Sequence, residues 1–318
     1  SDILAMIGAS AALAISDIPW QGPTGSIRIG YVDGKMVTMP TFAQLEESEL
    51  NLVVAGTSNA ITMVEAGAAE VSEATVIDAL EEAQKQIQTI VGMIDELVGK
   101  IGNEKVEVKA PEPPEMLGEV RGWLADPMAD ALSVPAKHAR SAALKQLQED
   151  CLAHFVTNEE ERVERKGEFR DYYGQVQHEV MRRMIKEGHR VDGRGEDDIR
   201  PITTEVSLLP RTHGSCLFTR GETQAIATCT LGTTADKQIV DGLQDTVKSH
   251  FLLHYSFPPF SVGECRPIRG PGRREIGHGC LAERAIQPIL PALEDFPYTV
   301  RIVSDILESN GSSSMATV

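Results

Sequence analysis

The hydrophobic period of this chain changes twice, and that double change limits the possible folds more than any other feature. In the first stretch apolar residues alternate in short runs. Ser26-Ile-Arg-Ile-Gly-Tyr-Val, Leu50-Asn-Leu-Val-Val-Ala-Gly and Ala60-Ile-Thr-Met-Val-Glu read as strands. Asp33-Gly34 is a hairpin signal leading into Lys35-Met-Val-Thr-Met, and Gly56-Thr-Ser-Asn reads as a turn. Residues 9–15 are helix formers, and the two prolines and two glycines of 19–25 predict a loop. From Ser72 the period lengthens to 3.6. Val76, Ile77, Leu80, Ala83, Ile87, Ile90, Val91, Ile94, Leu97 and Val98 form one stripe of a long helix, stopped by Gly99 and Gly102-Asn103.

Lys109-Ala-Pro-Glu-Pro-Pro-Glu predicts a stiff linker. Three helical stretches follow, near 115–131, 137–155 and 158–187, the last with Asn158 as N-cap, Glu161 three residues on and Gly188 as stop signal. Its many Glu and Arg residues fit a solvated face with i,i+4 pairs. Past Gly188 the period returns to two, with strands expected at 205–209, 215–220 and 222–232. A polar stretch at 234–247 precedes a strand at 250–257, a helix at about 274–287 and a strand from Tyr298. The predicted layout is α+β, then all-α, then α+β.

Composition bounds the partners. The 318 residues suffice for about two domains. No apolar run reaches the length of a transmembrane helix, so no membrane role is expected. Five cysteines without a C-x-x-C pair argue against a disulfide scaffold or zinc ribbon and suit a reducing cytoplasm. Of the net charge of −17, residues 1–130 carry −14, leaving room for basic patches in the rest of the chain.

The octets S-D-I-L-A-M-I-G at 1–8 and S-D-I-L-E-S-N-G at 304–311 suggest a duplicated unit, each running from strand into helix. On that reading the chain is a piece of something larger, holding the back of copy one and the front of copy two. The second octet continues into Ser312-Ser-Ser, where backbone N–H groups and hydroxyls at a helix start would bind an anion such as phosphate. A plain serine-rich helix cap would look the same. The first copy has Ala9-Ser10-Ala11 at this point.

Arg266-Pro-Ile-Arg-Gly-Pro-Gly-Arg-Arg-Glu-Ile-Gly-His places Arg266, Arg269, Arg273 and Arg274 on one Gly/Pro-rich loop, with His278 a turn into the next helix. Arginine forks bind phosphate oxygens and such a loop can follow a nucleic-acid backbone, although a solvated loop with an ordinary helix start fits too. Asp197 and Asp198, in Arg190-Val-Asp-Gly-Arg-Gly-Glu-Asp-Asp, are a candidate metal pair or a solvated turn. H-E-x-x-H, G-x-S-x-G and Walker A runs are absent, so nothing here supports a serine hydrolase or a P-loop NTPase.

Taken together, Arg190-Val-Asp-Gly-Arg, Leu209-Pro-Arg-Thr-His-Gly-Ser, Phe218-Thr-Arg-Gly-Glu-Thr-Gln-Ala, Phe257-Pro-Pro-Phe-Ser-Val-Gly-Glu, Arg273-Arg-Glu-Ile-Gly-His-Gly and Glu308-Ser-Asn-Gly-Ser-Ser-Ser-Met-Ala resemble the bacterial polynucleotide phosphorylases. Met6-Ile-Gly-Ala-Ser-Ala-Ala-Leu, Gly22-Pro and Leu52-Val-Val-Ala-Gly-Thr match the first half of that family. The resemblance implies two partial ribonuclease PH-like domains, over 1–70 and 189–318, joined by an all-helical domain over 71–188. It implies trimeric rings that degrade RNA from the 3′ end with inorganic phosphate as attacking group and Mg²⁺ as cofactor, releasing nucleoside diphosphates.

By the same resemblance Ser312, Ser313 and Ser314 would hold phosphate. Arg273 and Arg274 would hold the RNA backbone or phosphate near the scissile bond, Arg266 and Arg269 would bind RNA, and His278 would line the site. The acidic Mg²⁺ ligands of the family would lie beyond Val318, so this segment alone would be inactive. Expected partners are single-stranded RNA 3′ ends, two further copies, and an endoribonuclease and a helicase in a degradation complex. An RNA-binding ring scaffold that has lost catalysis, or a hydrolytic exoribonuclease, are the alternatives.

Overall fold

The computed structural model describes residues 2–108, 116–242 and 246–318. The predicted linker at 109–115 lies outside them. The chain divides into two compact units, Ser1–Pro111 and Glu112–Val318.

The first unit runs α1 (Asp2–Ile15), β1 (Gly25–Val32), β2 (Lys35–Thr38), the short α2 (Phe42–Glu46), β3 (Leu50–Gly56), β4 (Ile61–Ala68) and α3 (Glu73–Ile101). Its sheet is antiparallel in the order β2-β1-β3-β4. Asp33 and Gly34 both take positive φ, which gives the β1–β2 hairpin a turn whose twist matches its strands. One face of the sheet (Ile27, Ile29, Leu50, Leu52, Val54) packs on Ala79, Ala83, Ile87 and Val91 of α3 in a single core. The approach is close: a Cβ on Gly25 would sit 2.9 Å from the Ile87 carbonyl oxygen. The long helix therefore shares its core with the first sheet. Periodicity read its apolar stripe but not its partner.

The octet repeat is corrected as well. Residues 2–8 are already helical, whereas 304–308 are strand. In α1, Ile3, Ser10 and Ala14 recur on one buried helical face. Around 304 the preceding Thr299-Val-Arg-Ile-Val is β-branched and paired on both sides, so the same four letters extend a strand. Tertiary context decides, and the octets are not equivalent points of a duplicated unit. The C-terminal end of α1 is capped by Lys105, whose ammonium donates to the carbonyls of Leu13, Ala14 and Ser16 at 3.0, 2.8 and 2.6 Å.

The second unit begins with α4 (Leu117–Leu132), α5 (Lys137–Phe155) and α6 (Glu159–Lys186). Val120, Leu124, Met128 and Leu132 of α4 meet Phe169, Tyr172, Tyr173, Val176, Val180 and Met184 of α6. Burial pushes the Cys151 thiol in this core up to about 11. The charged face of α6 carries one expected i,i+4 pair, Arg165 with Glu161 at 3.3 Å, and an i,i+3 pair of Arg165 with Glu168 at 2.8 Å. Asn158 caps the helix by accepting from the Glu160 N–H, and Gly188 follows its end with positive φ.

Next come β5 (Ile202–Val206), β6 (Gly214–Arg220), β7 (Thr223–Gly232), β8 (Gln238–Asp241), β9 (Thr246–Ser249), β10 (Phe251–Ser256), α7 (Arg273–Ile286), β11 (Thr299–Glu308) and α8 (Ser313–Thr317). The main sheet has the order β10-β11-β7-β6-β5, with β10 and β11 parallel and α7 crossing between them. Two expectations shift here. The strand placed at 205–209 ends at Val206, because Ser207 turns with φ +60°. The polar stretch at 234–247 contains the hairpin β8–β9, whose exposed residues show no buried alternation.

Candidate active site

β10 lies at the edge of the main sheet, and the loop from Pro258 to Gly272 turns back beside it before α7 begins. Between them lies a cleft of about 990 Å³. Arg266, Arg269, Arg273 and Arg274 all line it, as the loop sequence suggested, together with Tyr255 and Phe257 from the strand side. The start of α7 is fixed by Glu275, whose two carboxylate oxygens accept from the N–H groups of Phe257 at 2.9 Å and Gly272 at 2.8 Å. Glu275 thus joins the strand end to the helix start. The Arg274 guanidinium sits 4.4 Å over the Phe257 ring, a geometry that holds a cation in place without neutralising it. Arg266 is paired with Glu264 at 3.3 Å, both exposed. Glu283, further along α7, also lines the cleft, and burial raises its carboxyl above its ordinary range, against the nearby charge of Arg284.

The serine run lies on the other side of Tyr255. Ser312 is the N-cap of α8 in left-handed conformation (φ 32°), while Ser313 and Ser314 are buried. The Ser313 hydroxyl is 2.7 Å from the Tyr255 hydroxyl, whose pKa burial raises. Tyr255 therefore belongs to both parts: it lines the arginine cleft and it touches the serine run. Its ring also meets His278 edge-on at 5.2 Å. The structure brings His278 beside Tyr255, outside the walls of the cleft itself. Sequence reasoning missed Tyr255, although its place at alternate positions with Leu253 and Phe251 in β10 marks it as inward-facing.

Nδ1 of His278 is buried without a hydrogen-bond partner among the described residues. Burial, with the charge of Arg274 adding to it, holds the imidazole below its usual 6.5. As pH falls below about 6.5 the unfolded chain takes up this proton first. Stability is therefore full above that pH and declines toward the lower folded value. In an NMR titration the His278 ring is expected to titrate below 6.5, and Arg274→Ala should move it part-way up. A ring pKa at or above 6.5 in the unaltered chain contradicts this placement.

A second, smaller cleft of about 390 Å³ borders Gly311 and Ser312 and is ringed by Arg190, Arg194, Arg200 and Arg220. These arginines are engaged within the fold. Arg190 donates to the Asp198 carbonyl at 2.8 Å, and Arg194 and Arg200 pair with Asp192 at 2.8 and 3.2 Å. Burial opposes ionisation of Asp192, yet its arginine partners outweigh it and keep the carboxyl below its usual range. Arg220 donates to the carbonyls of Gly311 and Ser312 at 2.8 and 3.0 Å, so this region latches the serine loop. Asp198 accepts from the Gly195 N–H at 2.8 Å, as a turn residue does. Among the described residues no three His, Cys, Asp or Glu side chains gather to hold a metal ion. A Mg²⁺ site built from three protein ligands is therefore not found among the described residues.

Three family descriptions match the chain in succession. Residues 22–86 match the 3′ exoribonuclease family, domain 2. Residues 115–195 match the polyribonucleotide nucleotidyltransferase RNA binding domain, and 198–318 the 3′ exoribonuclease family, domain 1. This order defines an assembly of ribonuclease PH-like parts around a helical insert. The chain belongs to the polyribonucleotide nucleotidyltransferase family. It is 48% identical to the enzyme of that name from Bacillus velezensis, 47% to that of Bacillus subtilis and 49% to that of Heliobacterium modesticaldum, in each case over the whole of this chain. It spans about 45% of the length of these relatives. A solved structure, the Archaeoglobus fulgidus exosome with RNA bound to the active site, aligns with 44% of this chain and 56% of its own, at 19% identity and a TM-score of 0.33.

Proposed function

We propose that this segment carries the phosphate- and RNA-holding half of a phosphorolytic 3′→5′ exoribonuclease. The observation that carries the reading is Tyr255, which places the arginine cleft and the serine run on two sides of one side chain. The family relationship supports the substrate class. In the reaction an oxygen of inorganic phosphate attacks the phosphorus of the terminal 3′–5′ linkage. The bond to the ribose 3′ oxygen breaks, leaving RNA shorter by one residue with a 3′ hydroxyl and releasing a nucleoside diphosphate. Phosphate is itself the nucleophile, so no activated side chain is needed. The protein must hold two anions in line and offset the charge that builds between them. Arg273 and Arg274 meet the RNA backbone, with Arg266 and Arg269 further along it, and the loop Gly311–Ser314 meets inorganic phosphate.

The same reading makes RNA 3′ ends the substrate and further copies of the chain, in a trimeric ring, its neighbours, with an endoribonuclease and a helicase as partners in RNA degradation. It places the protein in the cytoplasm. Among the described residues no helix is long and apolar enough to cross a membrane. Mg²⁺ is the expected cofactor, with ligands outside these residues.

The test is titration of inorganic phosphate into the 318-residue chain, followed by backbone amide shifts. Saturable movement of the Gly311 to Ser314 amides is the expected result. Movement confined to exposed lysines elsewhere would remove phosphate from this loop.

A further inference from the structure

The loop that carries the serines is tied to a helical segment distant in sequence. The α5 helix starts at Lys137 without a side-chain cap of its own, Ala136 preceding it. Its first N–H, that of Lys137, instead donates to Glu222 Oε1 at 3.1 Å, so a carboxylate from the β6–β7 turn caps the helix. The other oxygen, Glu222 Oε2, accepts from the Asn310 side-chain amide at 2.7 Å. The Lys137 side chain, about four-fifths buried, carries its ammonium to the same loop. It donates to the Ser309 carbonyl at 2.9 Å and to Glu308 Oε1 at 3.3 Å. Lys137 therefore grips the strand end and the loop from two directions, through its backbone and its side chain.

Thr223 completes the link to Gly311. Its hydroxyl accepts from the Asn310 N–H at 2.9 Å and lies 3.3 Å from the Gly311 carbonyl. Ser312 follows with φ 32°, a conformation disfavoured for a side-chain-bearing residue. A strained residue persists only where its surroundings over-determine it, and the Lys137–Glu222–Asn310 relay supplies such a restraint in addition to Arg220.

We propose that Lys137 is a positioning residue for the anion-holding loop: the start of α5 sets the conformation of Ser309–Ser312, and through it the presentation of the loop N–H groups to inorganic phosphate. The proposal rests on the phosphate reading above and assigns to the helical segment a part in the site itself. Ionic and hydrogen-bonding contacts of this kind fix a site's geometry when the packing behind them is rigid. Lys137 touches neither reactant, so its effect is on phosphate affinity and not on RNA.

The test compares Lys137→Met and Lys137→Arg in the 318-residue chain by amide hydrogen exchange and by titration with inorganic phosphate and with a short oligoadenylate. Lys137→Met is expected to speed exchange at residues 309–314 while the amides of α4 and α6 keep their protection. It should weaken phosphate about tenfold, the scale of one charge-assisted hydrogen bond, and leave oligoadenylate binding unchanged. Lys137→Arg should restore most of both. Unchanged exchange in the loop overturns the proposal. So does an equal loss of protection across α4, α6 and the loop, which would make Lys137 a general stability residue. If the unaltered chain binds no phosphate but Lys137→Met still loosens the loop alone, the tie stands and the phosphate reading falls.

Discussion

Replacing Arg273 and Arg274 together by alanine is expected to lower phosphate-dependent release of nucleoside diphosphate at least ~100-fold, in a chain of full family length carrying these residues. The scale follows from removing preorganised charge at the point where charge develops, where one donor alone is worth about 10²–10³. The preorganisation is visible in the fold. Glu275 fixes the first turn of α7 against Phe257, and Phe257 in turn carries the Arg274 guanidinium on its face. Because Glu275 stays in place, the variant should keep its helix start and melt close to the unaltered protein. Arg274→Lys keeps the charge but loses the planar fork, and should fall between the two. A double variant within threefold of the unaltered activity would move the site elsewhere.

Ile87→Ala should have the largest effect on stability. The side chain is wholly buried between α3 and the first sheet, so truncation removes its transfer energy and leaves a cavity, at a cost of about 2–5 kcal/mol. The informative part is where the cost falls. Since α3 shares its core with Ile27, Ile29 and Leu52, hydrogen-exchange protection should drop across β1 and β3 and persist in α4 and α6. Loss of protection in α4 and α6 instead would place α3 with the helical segment and favour a boundary near residue 71.

These two sites also mark what sequence reading reached. The arginine loop was legible because four cations on a Gly/Pro-rich stretch are a local pattern, and the structure puts all four around one cleft. The stripe on α3 was equally legible, but a stripe says that a face is buried and not against what. The octet repeat misled for the opposite reason: four identical letters carry little structural information when helix and strand neighbours decide between them. The β8–β9 hairpin escaped because exposed, polar strands show no alternation. Tyr255 and Lys137 escaped because their partners, Ser313 and Glu308, lie 58 and 171 positions away, and no local period encodes such contacts.

The phosphate reading is tested most directly by the identity of the product. A chain of full family length containing these 318 residues is given polyadenylate and Mg²⁺, with and without inorganic phosphate, and the released nucleotide is resolved by chromatography. The expected result is ADP, formed only when phosphate is present and lost in Ser313→Ala or Arg274→Ala. AMP formed independently of phosphate would make the protein a hydrolase, and RNA binding without release of either nucleotide would make it a scaffold; both contradict phosphorolysis.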